Sequence, residues 1–413
     1  MIIRKLITNL FLILVIAVSA NGQGNTGTAS QKALKEAYAG KFLIGAANDL
    51  TSISEAEAAN IKMHYDIMTP ENCMKPQPIH PSIGTYNFAT PDAMVEWCQK
   101  NGLKVWGHTL VWHSQSPQWF FQEKPEEAPE AARPATPPAT RPATPPANPP
   151  TPATAPNAQR PNMAGFGGRG ITGPQASREV ILERLKSHIM TVVGRYKGQI
   201  IGWDVVNESI ADGGDGTTEN LRTFSWYQYV GPDVLTLAFK WAHEADPDAE
   251  LYYNDYNIEQ GAVENKGKHA SSLLLLKRLI AEGAPVTGVG IQGHWHLDTN
   301  LDDVEKAIEN YAALGLKVSI TELDVTATGS NSGAFGAQQG DRTIPAENYQ
   351  KQAEVYRKLF EIFMRHADVI DRVTLWGLSD TRSWRRGQDA LLFDGQLNPK
   401  PAFNAVIEAS SYK

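Results

Sequence analysis

The sequence has little cysteine, no excess of basic residues and no apolar run long enough to cross a bilayer comfortably. Only Cys73 and Cys98 occur in 413 residues, so a disulfide framework does not hold this fold together. We expect both to be buried free thiols, and a single bridge between them is the alternative. The formal net charge of -7 leaves no basic surplus for nucleic acid or an anionic membrane surface.

The N-terminal segment has the pattern of an export signal. Arg4 and Lys5 precede an apolar run over residues 6–18, and small residues around Ala20 suit cleavage. The run is short for a membrane span, and no second apolar segment follows it. We therefore expect residues 1–20 to be a signal peptide and the mature protein to be secreted to the periplasm, cell surface or medium, without contact to the membrane. A retained membrane anchor is the alternative.

A proline-rich stretch lies between residues 122 and 174. The unit Arg-Pro-Ala-Thr-Pro-Pro-Ala-Thr at 133–140 recurs at 141–148 with Asn in place of the last Thr. Proline removes backbone donors and fixes φ, and few large apolar residues are present to offset the entropy of ordering. We predict an extended, mobile insertion, partly polyproline II, inside one catalytic domain of residues 30–410 rather than a linker between two domains.

The rest of the chain alternates short apolar strands with amphipathic helices. The clearest helix is predicted to begin after an N-cap at Ser177 and to end at Gly198, and another covers residues 346–366. Eight strands alternating with helices predict a parallel sheet closed as a (β/α)8 TIM barrel. An open doubly wound sheet is the alternative, but it usually carries a glycine-rich phosphate loop after its first strand, and residues 48–51 contain no glycine. The predicted strands are 42–46, 65–68, 104–110, 200–206, 250–254, 286–292, 317–321 and 372–378.

Polar and aromatic residues gather at one end of nearly every predicted strand, the end at which TIM barrels build their sites. Two glutamates are prominent, because Glu208 and Glu322 directly follow the strongly apolar fourth and seventh strands. These strands lie on opposite sides of an eight-membered ring, so the two carboxylates can face each other across its mouth. Paired carboxylates suit glycosidic cleavage, since one protonates the leaving oxygen while the other stabilises or attacks the anomeric carbon.

The motifs at these strand ends resemble those of the family 10 glycoside hydrolases, endo-β-1,4-xylanases of the (β/α)8 class. The resemblance runs from about Phe42 to Ile407 and is interrupted by the proline-rich insertion. Six segments match in order, and together they are highly specific. They are Thr69-Pro-Glu-Asn-Cys-Met-Lys75, Gly107-His-Thr-Leu-Val-Trp-His-Ser114, Trp203-Asp-Val-Val-Asn-Glu208, Asn254-Asp-Tyr-Asn257, Ile320-Thr-Glu-Leu-Asp324 and Leu391-Leu-Phe-Asp394.

The resemblance implies hydrolysis of internal xylan linkages by double displacement with net retention, without a cofactor or a metal. Glu322 matches the nucleophile and Glu208 the acid/base, whose carboxyl groups should lie roughly 5–5.5 Å apart. His294 matches a residue that contacts Glu322, and Asp324 one that orients the imidazole, which would hold Glu322 ionised. The residues implied to contact xylan or xylo-oligosaccharide are His108, Asn207 and Gln292 at the cleaved unit, Glu71, Asn72 and Lys75 at the next glycone unit, Trp112, Trp376 and Trp384 as aromatic walls, and Tyr256 on the leaving-group side.

One departure from the family pattern and three rival functions accompany this interpretation. Pro76 stands where the family often has tryptophan, which changes the packing on the glycone side. A metal-dependent barrel hydrolase is one rival, because His294-Trp-His296 places two imidazoles on one face of a strand and His113 adds another. If no metal is bound, we expect His113 and His296 to make ordinary hydrogen bonds at the rim of the site. The others are a non-catalytic polysaccharide-binding barrel, which would lack one of the glutamates, and a retaining β-glucanase. We expect a monomer.

Overall fold

Parallel strands form one sheet that curls into a barrel in the computed structural model, which describes residues 32–125, 171–328 and 343–412. The chain divides into a unit of residues 1–32 and a unit of residues 33–413, and the barrel belongs to the second. Its strands are β1 (Leu43–Ala47), β2 (Ile67–Thr69), β3 (Lys104–Val105), β4 (Gly107–Trp112), β5 (Gly202–Asn207), β6 (Glu250–Asp255), β7 (Gly288–Ile291), β8 (His294–His296), β9 (Lys317–Thr326) and β10 (Ile370–Leu375).

The barrel closes where β3 and β4 follow one another along the chain. Neighbouring strands run in the order β3-β2-β1-β10-β9-β7-β6-β5-β4, and Trp106 alone separates β3 from β4. These two pieces count as one barrel strand, and β8 continues beyond β7 to pair with β9, so eight strands make up the ring. The predicted TIM barrel is therefore confirmed, and the open doubly wound sheet is excluded.

Amphipathic helices connect the strands. Helix α5 begins after Ser177, whose hydroxyl accepts a hydrogen bond from the Val180 backbone at 3.4 Å, as the sequence predicts, but it ends at Arg195, before Gly198. Helix α10 ends at Arg365, one residue short of its predicted end. The helices are α1 (Leu34–Ala37), α2 (Glu55–His64), α3 (Pro76–Ile79), α4 (Ala89–Lys100), α5 (Arg178–Arg195), α6 (Ser225–Val230), α7 (Asp233–Ala245), α8 (Gly267–Ala281), α9 (Leu301–Ala312), α10 (Ala346–Arg365) and α11 (Pro401–Ala409).

The strand bounds shift by a few residues from the predicted ones, and β8 was not predicted. Two strands differ in a way that matters for the site. The predicted strand 104–110 is broken at Trp106, whose buried indole donates from Nε1 to Asp204 at 2.9 Å. The predicted strand 317–321 continues to Thr326, because β8 pairs with its second half. Glu322 therefore lies within β9 rather than after it.

The barrel interior is filled by large rings that face glycines on neighbouring strands. Trp106 and Tyr252 are buried there. A Cβ atom on Gly202 would lie 2.3 Å from the Trp106 ring, and one on Gly288 would lie 2.2 Å from the Tyr252 ring. Only glycine leaves room for these rings, so the interior is packed rather than hollow.

The proline-rich insertion leaves and re-enters the barrel at one place. Gln122 and Gln175 form an antiparallel bridge, and the Glu123 backbone N–H donates to the Pro174 carbonyl at 2.8 Å. Arg184 of α5 donates to the Gln122 carbonyl at 2.7 Å. The segment is thus a loop between β4 and α5 of one barrel, as predicted, although its two ends are held by hydrogen bonds. The predicted mobility of the stretch between those ends lies outside the described residues.

Both cysteines are buried and free, which confirms the expected thiols. Within residues 32–125, 171–328 and 343–412, no helix combines the length and the apolar character that a membrane span needs. The predicted signal peptide, residues 1–20, lies outside these ranges.

Candidate active site

A cleft of about 1210 Å³ lies at the carboxyl ends of the barrel strands. Every predicted site residue except Asp324 lines it, and Asp324 is fully buried behind the lining. The predicted residues that the fold brings together in this cleft are Glu71, Asn72, Lys75, His108, Trp112, Asn207, Glu208, Tyr256, Gln292, His294, Glu322, Trp376 and Trp384.

Glu322 is held by a donor at each carboxylate oxygen. Asn254 donates from Nδ2 to Oε1 at 2.9 Å, and Nε2 of His294 lies 3.1 Å from Oε2. The side chain is 7% exposed, so one small part of it reaches the cleft. Two donors and tight burial fix the orientation of this carboxylate.

His294 is oriented from behind by Asp324. Its Nδ1 lies 2.9 Å from Oδ2 of Asp324, which also accepts from Nε1 of Trp384 at 2.9 Å, while Nε of Arg385 donates to Oδ1 at 2.6 Å. This arrangement follows from the β8–β9 pairing, which sets His294 opposite Asp324. The carboxylate thus fixes the ring and its Nδ1–H proton, as the resemblance implies.

The imidazole of His294 is charged at neutral pH. Burial lowers its pKa, but the neighbouring Asp324 and Glu322 carboxylates outweigh burial and raise the pKa to about 9. Burial raises the pKa of Asp324, and the charges of His294 and Arg385 outweigh it and lower that pKa. The imidazolium donates to both carboxylates, so it holds Glu322 by a charge-assisted hydrogen bond.

Glu208 directly follows β5 and turns sharply out of the strand direction. Its φ is +55°, a left-handed conformation that residues with side chains seldom adopt and that is found disproportionately at functional sites. Trp112 donates from Nε1 to Oε2 at 2.9 Å, and Gln292 donates from Nε2 to Oε1 at 2.9 Å. Nδ1 of His113 lies 3.6 Å from Oε2.

The surroundings of Glu208 favour its ionised form. Burial raises the pKa of the carboxyl, but the charge of His113 and the hydrogen bonds from Gln292 and Trp112 outweigh burial, so the pKa is lowered from its usual value. Burial also lowers the pKa of His113. A general acid must carry a proton, so an acid role for Glu208 requires proton uptake as a substrate binds.

Two amide side chains bridge the carboxylates. Nδ2 of Asn254 lies 2.9 Å from the side-chain amide of Asn207, and that amide lies 3.4 Å from Oε1 of Glu208. Because Asn254 also donates to Glu322, a chain of polar contacts crosses the barrel mouth from one carboxylate to the other. Asn254 stands in a matched motif, but its partners are distant in sequence, so its role was not predicted.

The residues of the predicted glycone group come together on one side of the cleft. The Lys75 amino group lies 3.4 Å from Oδ1 of Asn72 and 4.8 Å from the centre of the Trp112 ring. Burial lowers the pKa of Lys75, and nearby carboxylates, Glu322 and Glu71 among them, oppose that effect. Lys75 is thus a buried amino donor at the cleft wall.

His108 is fixed from inside the barrel. Its Nδ1 lies 2.8 Å from Oδ2 of Asp204, and its ring meets that of Trp376 edge to face at 5.3 Å. The contact with Asp204 leaves Nε2 as the ring nitrogen available to the cleft.

Charged residues surround Tyr256 on the predicted leaving-group side. Its hydroxyl donates to Asp212 at 2.6 Å and accepts from Nη2 of Arg222 at 2.8 Å, and the Lys268 amino group lies 3.4 Å from the ring centre. Sequence reasoning missed these three charged residues, because each comes from a segment without a recognisable motif.

The histidines of the metal-dependent alternative have other partners. His294 contacts Glu322 and Asp324, and Nδ1 of His296 lies 2.6 Å from Asp298 at the cleft rim. Within the described part of the chain, no cluster of three or more His, Cys, Asp or Glu residues is arranged to hold a metal ion. His113 lines the cleft beside Glu208.

Comparison with curated proteins gives close relatives over most of the chain. The chain is 36% identical over 383 residues to endo-1,4-beta-xylanase B of Paenibacillus barcinonensis, which covers 91% of this chain and 97% of that protein. It is 34% identical over 378 residues to endo-1,4-beta-xylanase A of Thermoanaerobacterium saccharolyticum. That match covers 89% of this chain but only 27% of the longer relative.

Solved structures and a family profile agree with these relatives. A mutant of the intracellular xylanase from Thermoanaerobacterium saccharolyticum, solved with xylotriose, superposes with a TM-score of 0.70 and 33% identity over 90% of this chain and 97% of that one. Residues 33–135 and 168–409 match the profile described as Glycosyl hydrolase family 10, with the gap inside the proline-rich insertion. The chain therefore belongs to glycosyl hydrolase family 10.

Proposed function

We propose that this protein is an endo-acting, retaining β-1,4-xylanase in which Glu322 is the nucleophile and Glu208 the acid/base. One observation carries the assignment of roles: two carboxylates line a single cleft, and their surroundings differ. Glu322 is held by Asn254 and a charged His294, whereas Glu208 is held by Trp112 and Gln292 beside a second titratable group, His113. Different surroundings are what separate an attacking carboxylate from a proton-transferring one.

In the first step Glu322 attacks the anomeric carbon of the bound xylose unit. The carbon–oxygen bond to the leaving chain breaks, and Glu208 gives its proton to that oxygen, so the leaving chain departs as a neutral alcohol. A covalent glycosyl ester on Glu322 results. His294, charged and fixed by Asp324, stabilises the carboxylate before attack and orients it toward the carbon.

In the second step water attacks the same carbon from the side that the leaving chain has vacated. Glu208, now ionised, takes a proton from that water, and Glu322 departs as a carboxylate. Two inversions give net retention.

The cleft supports an internal position of cleavage. Its lining extends on both sides of the carboxylates, from Glu71 and Lys75 on the predicted glycone side to Tyr256 and Lys266 on the predicted leaving-group side. The volume of about 1210 Å³ exceeds that of an ordinary small-molecule pocket, and it suits several sugar units.

The experiment that tests this proposal is proton NMR of the first-formed anomer during hydrolysis of a xylo-oligosaccharide. We expect the β-anomer first, followed by slow mutarotation. An initial α-anomer contradicts the double displacement. Parallel rates on xylan and carboxymethylcellulose, with and without a chelator, compare the β-glucanase and metal-dependent alternatives. Release from xylan that is faster than release from carboxymethylcellulose and insensitive to chelator supports the xylanase.

We also propose that the protein is exported as a monomer after removal of residues 1–20. The basic pair Arg4 and Lys5, the apolar run that follows and the small residues around Ala20 support export. N-terminal sequencing of the protein from fractionated cells tests this, and a chain that still begins at Met1 in the cytoplasm contradicts it. Light scattering of the purified protein tests the monomer.

A further inference from the structure

A buried arginine lies directly beneath the cleft, inside the barrel. Arg372 of β10 is 1% exposed, and its guanidinium lies 3.6 Å from the centre of the Trp106 ring and 5.6 Å from that of Tyr252. None of its three nitrogens has a hydrogen-bond partner among the described residues. A buried charge is costly unless an opposite charge compensates it, so its presence in a barrel core calls for a specific reason.

The compensating charge is Asp204 of β5. Nη2 of Arg372 lies 3.6 Å from Oδ1 of Asp204, which is itself 2% exposed. Both oxygens of Asp204 already accept hydrogen bonds. Oδ1 accepts from Trp106 at 2.9 Å, and Oδ2 is 2.8 Å from Nδ1 of His108. Arg372 therefore adds charge to this group without adding a hydrogen bond.

The group connects the barrel core to the cleft through one side chain. His108 lines the cleft, while Asp204, Trp106 and Arg372 do not. The contact with Asp204 places a proton of His108 on Nδ1 and fixes the ring plane. If Asp204 lost its compensating cation, the buried carboxylate would move from its place, and His108 would lose its acceptor.

We propose that Arg372 is a positioning residue for hydrolysis: its charge holds the Asp204 carboxylate in place in the barrel core, and Asp204 in turn sets the tautomer and orientation of His108 at the cleaved sugar. The inference rests on the proposed function, in which His108 contacts that sugar. Arg372 touches no substrate, so its effect on the reaction must pass through His108.

A double-mutant cycle tests this path. Arg372→Met removes the charge and keeps an unbranched side chain of similar reach. We expect it to lower kcat/KM for xylotetraose on the order of 10- to 100-fold, because small misplacements of a substrate-positioning group are costly. The loss should fall on kcat more than on KM, since contacts at the cleaved unit strengthen in the transition state.

The second half of the cycle uses His108→Ala as the background. In that background Arg372→Met should cost less than about twofold in kcat/KM, because two residues that act through one contact are not additive. Arg372→Lys, which keeps the charge, should restore most of the loss in the unchanged background. Arg372→Gln gives a second uncharged variant in case Arg372→Met does not fold.

The matched control is Tyr252→Phe, which disturbs the same core cluster without touching Asp204. It removes the hydrogen bond of 2.6 Å from the Tyr252 hydroxyl to Asp371 and leaves the ring beside Arg372. We expect a lower unfolding midpoint with unchanged kcat/KM. Equal losses from Arg372→Met in both backgrounds, or no loss in either, overturn the inference. Absence of xylotetraose cleavage by the unchanged protein is a separate result, and it overturns the proposed function as well.

Discussion

At the residue scale, the two carboxylates differ mainly in what stands behind them. Glu322 faces an imidazolium that is fixed from behind by a buried aspartate. Glu208 faces neutral donors and His113, whose own pKa burial lowers. The two carboxylates are thus held by different partners, which fits a division of labour between attack and proton transfer.

Replacement of Glu208 tests that division directly. Glu208→Ala should lower kcat/KM for xylotetraose by about 10²–10⁴-fold, the range expected for loss of a general acid. The loss should be much smaller for an aryl xylobioside with an acidic phenol, because that leaving group needs no proton. Added azide should partly restore turnover of the aryl substrate by replacing the activated water, and a β-xylosyl azide should form.

Glu322→Ala is the control for this series, because it should abolish turnover of both substrates. Equal losses on the natural and the activated substrate after Glu208→Ala count against the acid/base role.

The charge of His294 predicts a loss of stability at alkaline pH. The folded protein raises the pKa of this imidazole from 6.5 to about 9. The folded state therefore holds the proton more tightly than the unfolded chain does. The stabilisation is fully present below about pH 6.5 and is lost as the pH rises through about 9.

Urea unfolding of the unchanged protein and of His294→Gln at several pH values across this window measures the effect. The free energy of unfolding of the unchanged protein should fall more steeply than that of the variant. Parallel slopes for the two proteins would mean that His294 is not charged in the folded state.

Sequence reasoning at the residue scale found the groups that stand in motifs and missed those defined by contact. Glu208, Glu322, His294 and Asp324 were predicted because each occupies a recognisable position at a strand end. Arg385 was missed because a basic residue after a tryptophan carries no signal by itself. Its importance lies in a hydrogen bond to Asp324, 61 positions away in sequence, which no local pattern encodes.

At the element scale, apolar periodicity gave the strand positions but not their interruptions. At the break, backbone pairing changes partner: the Trp106 N–H donates to Met68 after β3 has paired with β2, whereas Gly107 pairs with Trp203 of β5. Strand β8 has only three residues, and two of them are histidines. It therefore has no apolar run from which a strand could be predicted. Its existence depends on pairing with the second half of β9, and that pairing brings His294 opposite Asp324.

Because glycines of the barrel strands pack against aromatic rings, we expect a side chain at such a glycine to lower the stability of the fold. Gly202→Ala should lower the free energy of unfolding by about 1–3 kcal/mol, because the new methyl group overpacks the barrel against Trp106. Gly194→Ala, in α5, is the matched control: its Cβ meets nothing within 4 Å. That variant should raise stability by up to about 1 kcal/mol through helix propensity. Chemical denaturation compares them, and a neutral Gly202→Ala would contradict the packing.

At the scale of the whole molecule, the barrel was predictable because eight alternating units leave few ways to bury their apolar faces. The insertion does not disturb that pattern. Its ends are joined by the Gln122–Gln175 bridge and by Arg184, so the fold on either side is complete without the stretch between them.

Replacement of residues 126–170 by a short Gly-Ser turn should therefore leave catalysis within about threefold and the unfolding midpoint within a few degrees, because loop length enters stability only logarithmically. Activity on xylotetraose and thermal unfolding measure this. Comparison of the shortened chain with and without Gln122→Ala measures how much the hydrogen-bonded ends contribute to the unfolding midpoint. Failure of the shortened chain to fold would show that the insertion is part of the barrel's structure.

The paired ends of the insertion have a practical consequence. The two ends lie side by side on the barrel, and they are only a few residues along the chain from Gln115, which lines the cleft. A second domain whose own termini lie close together could be inserted between these ends without distorting the barrel. A polysaccharide-binding domain inserted in this way would be joined to the enzyme by both of its termini near the cleft. A domain fused at one end of the chain would be joined by one terminus only.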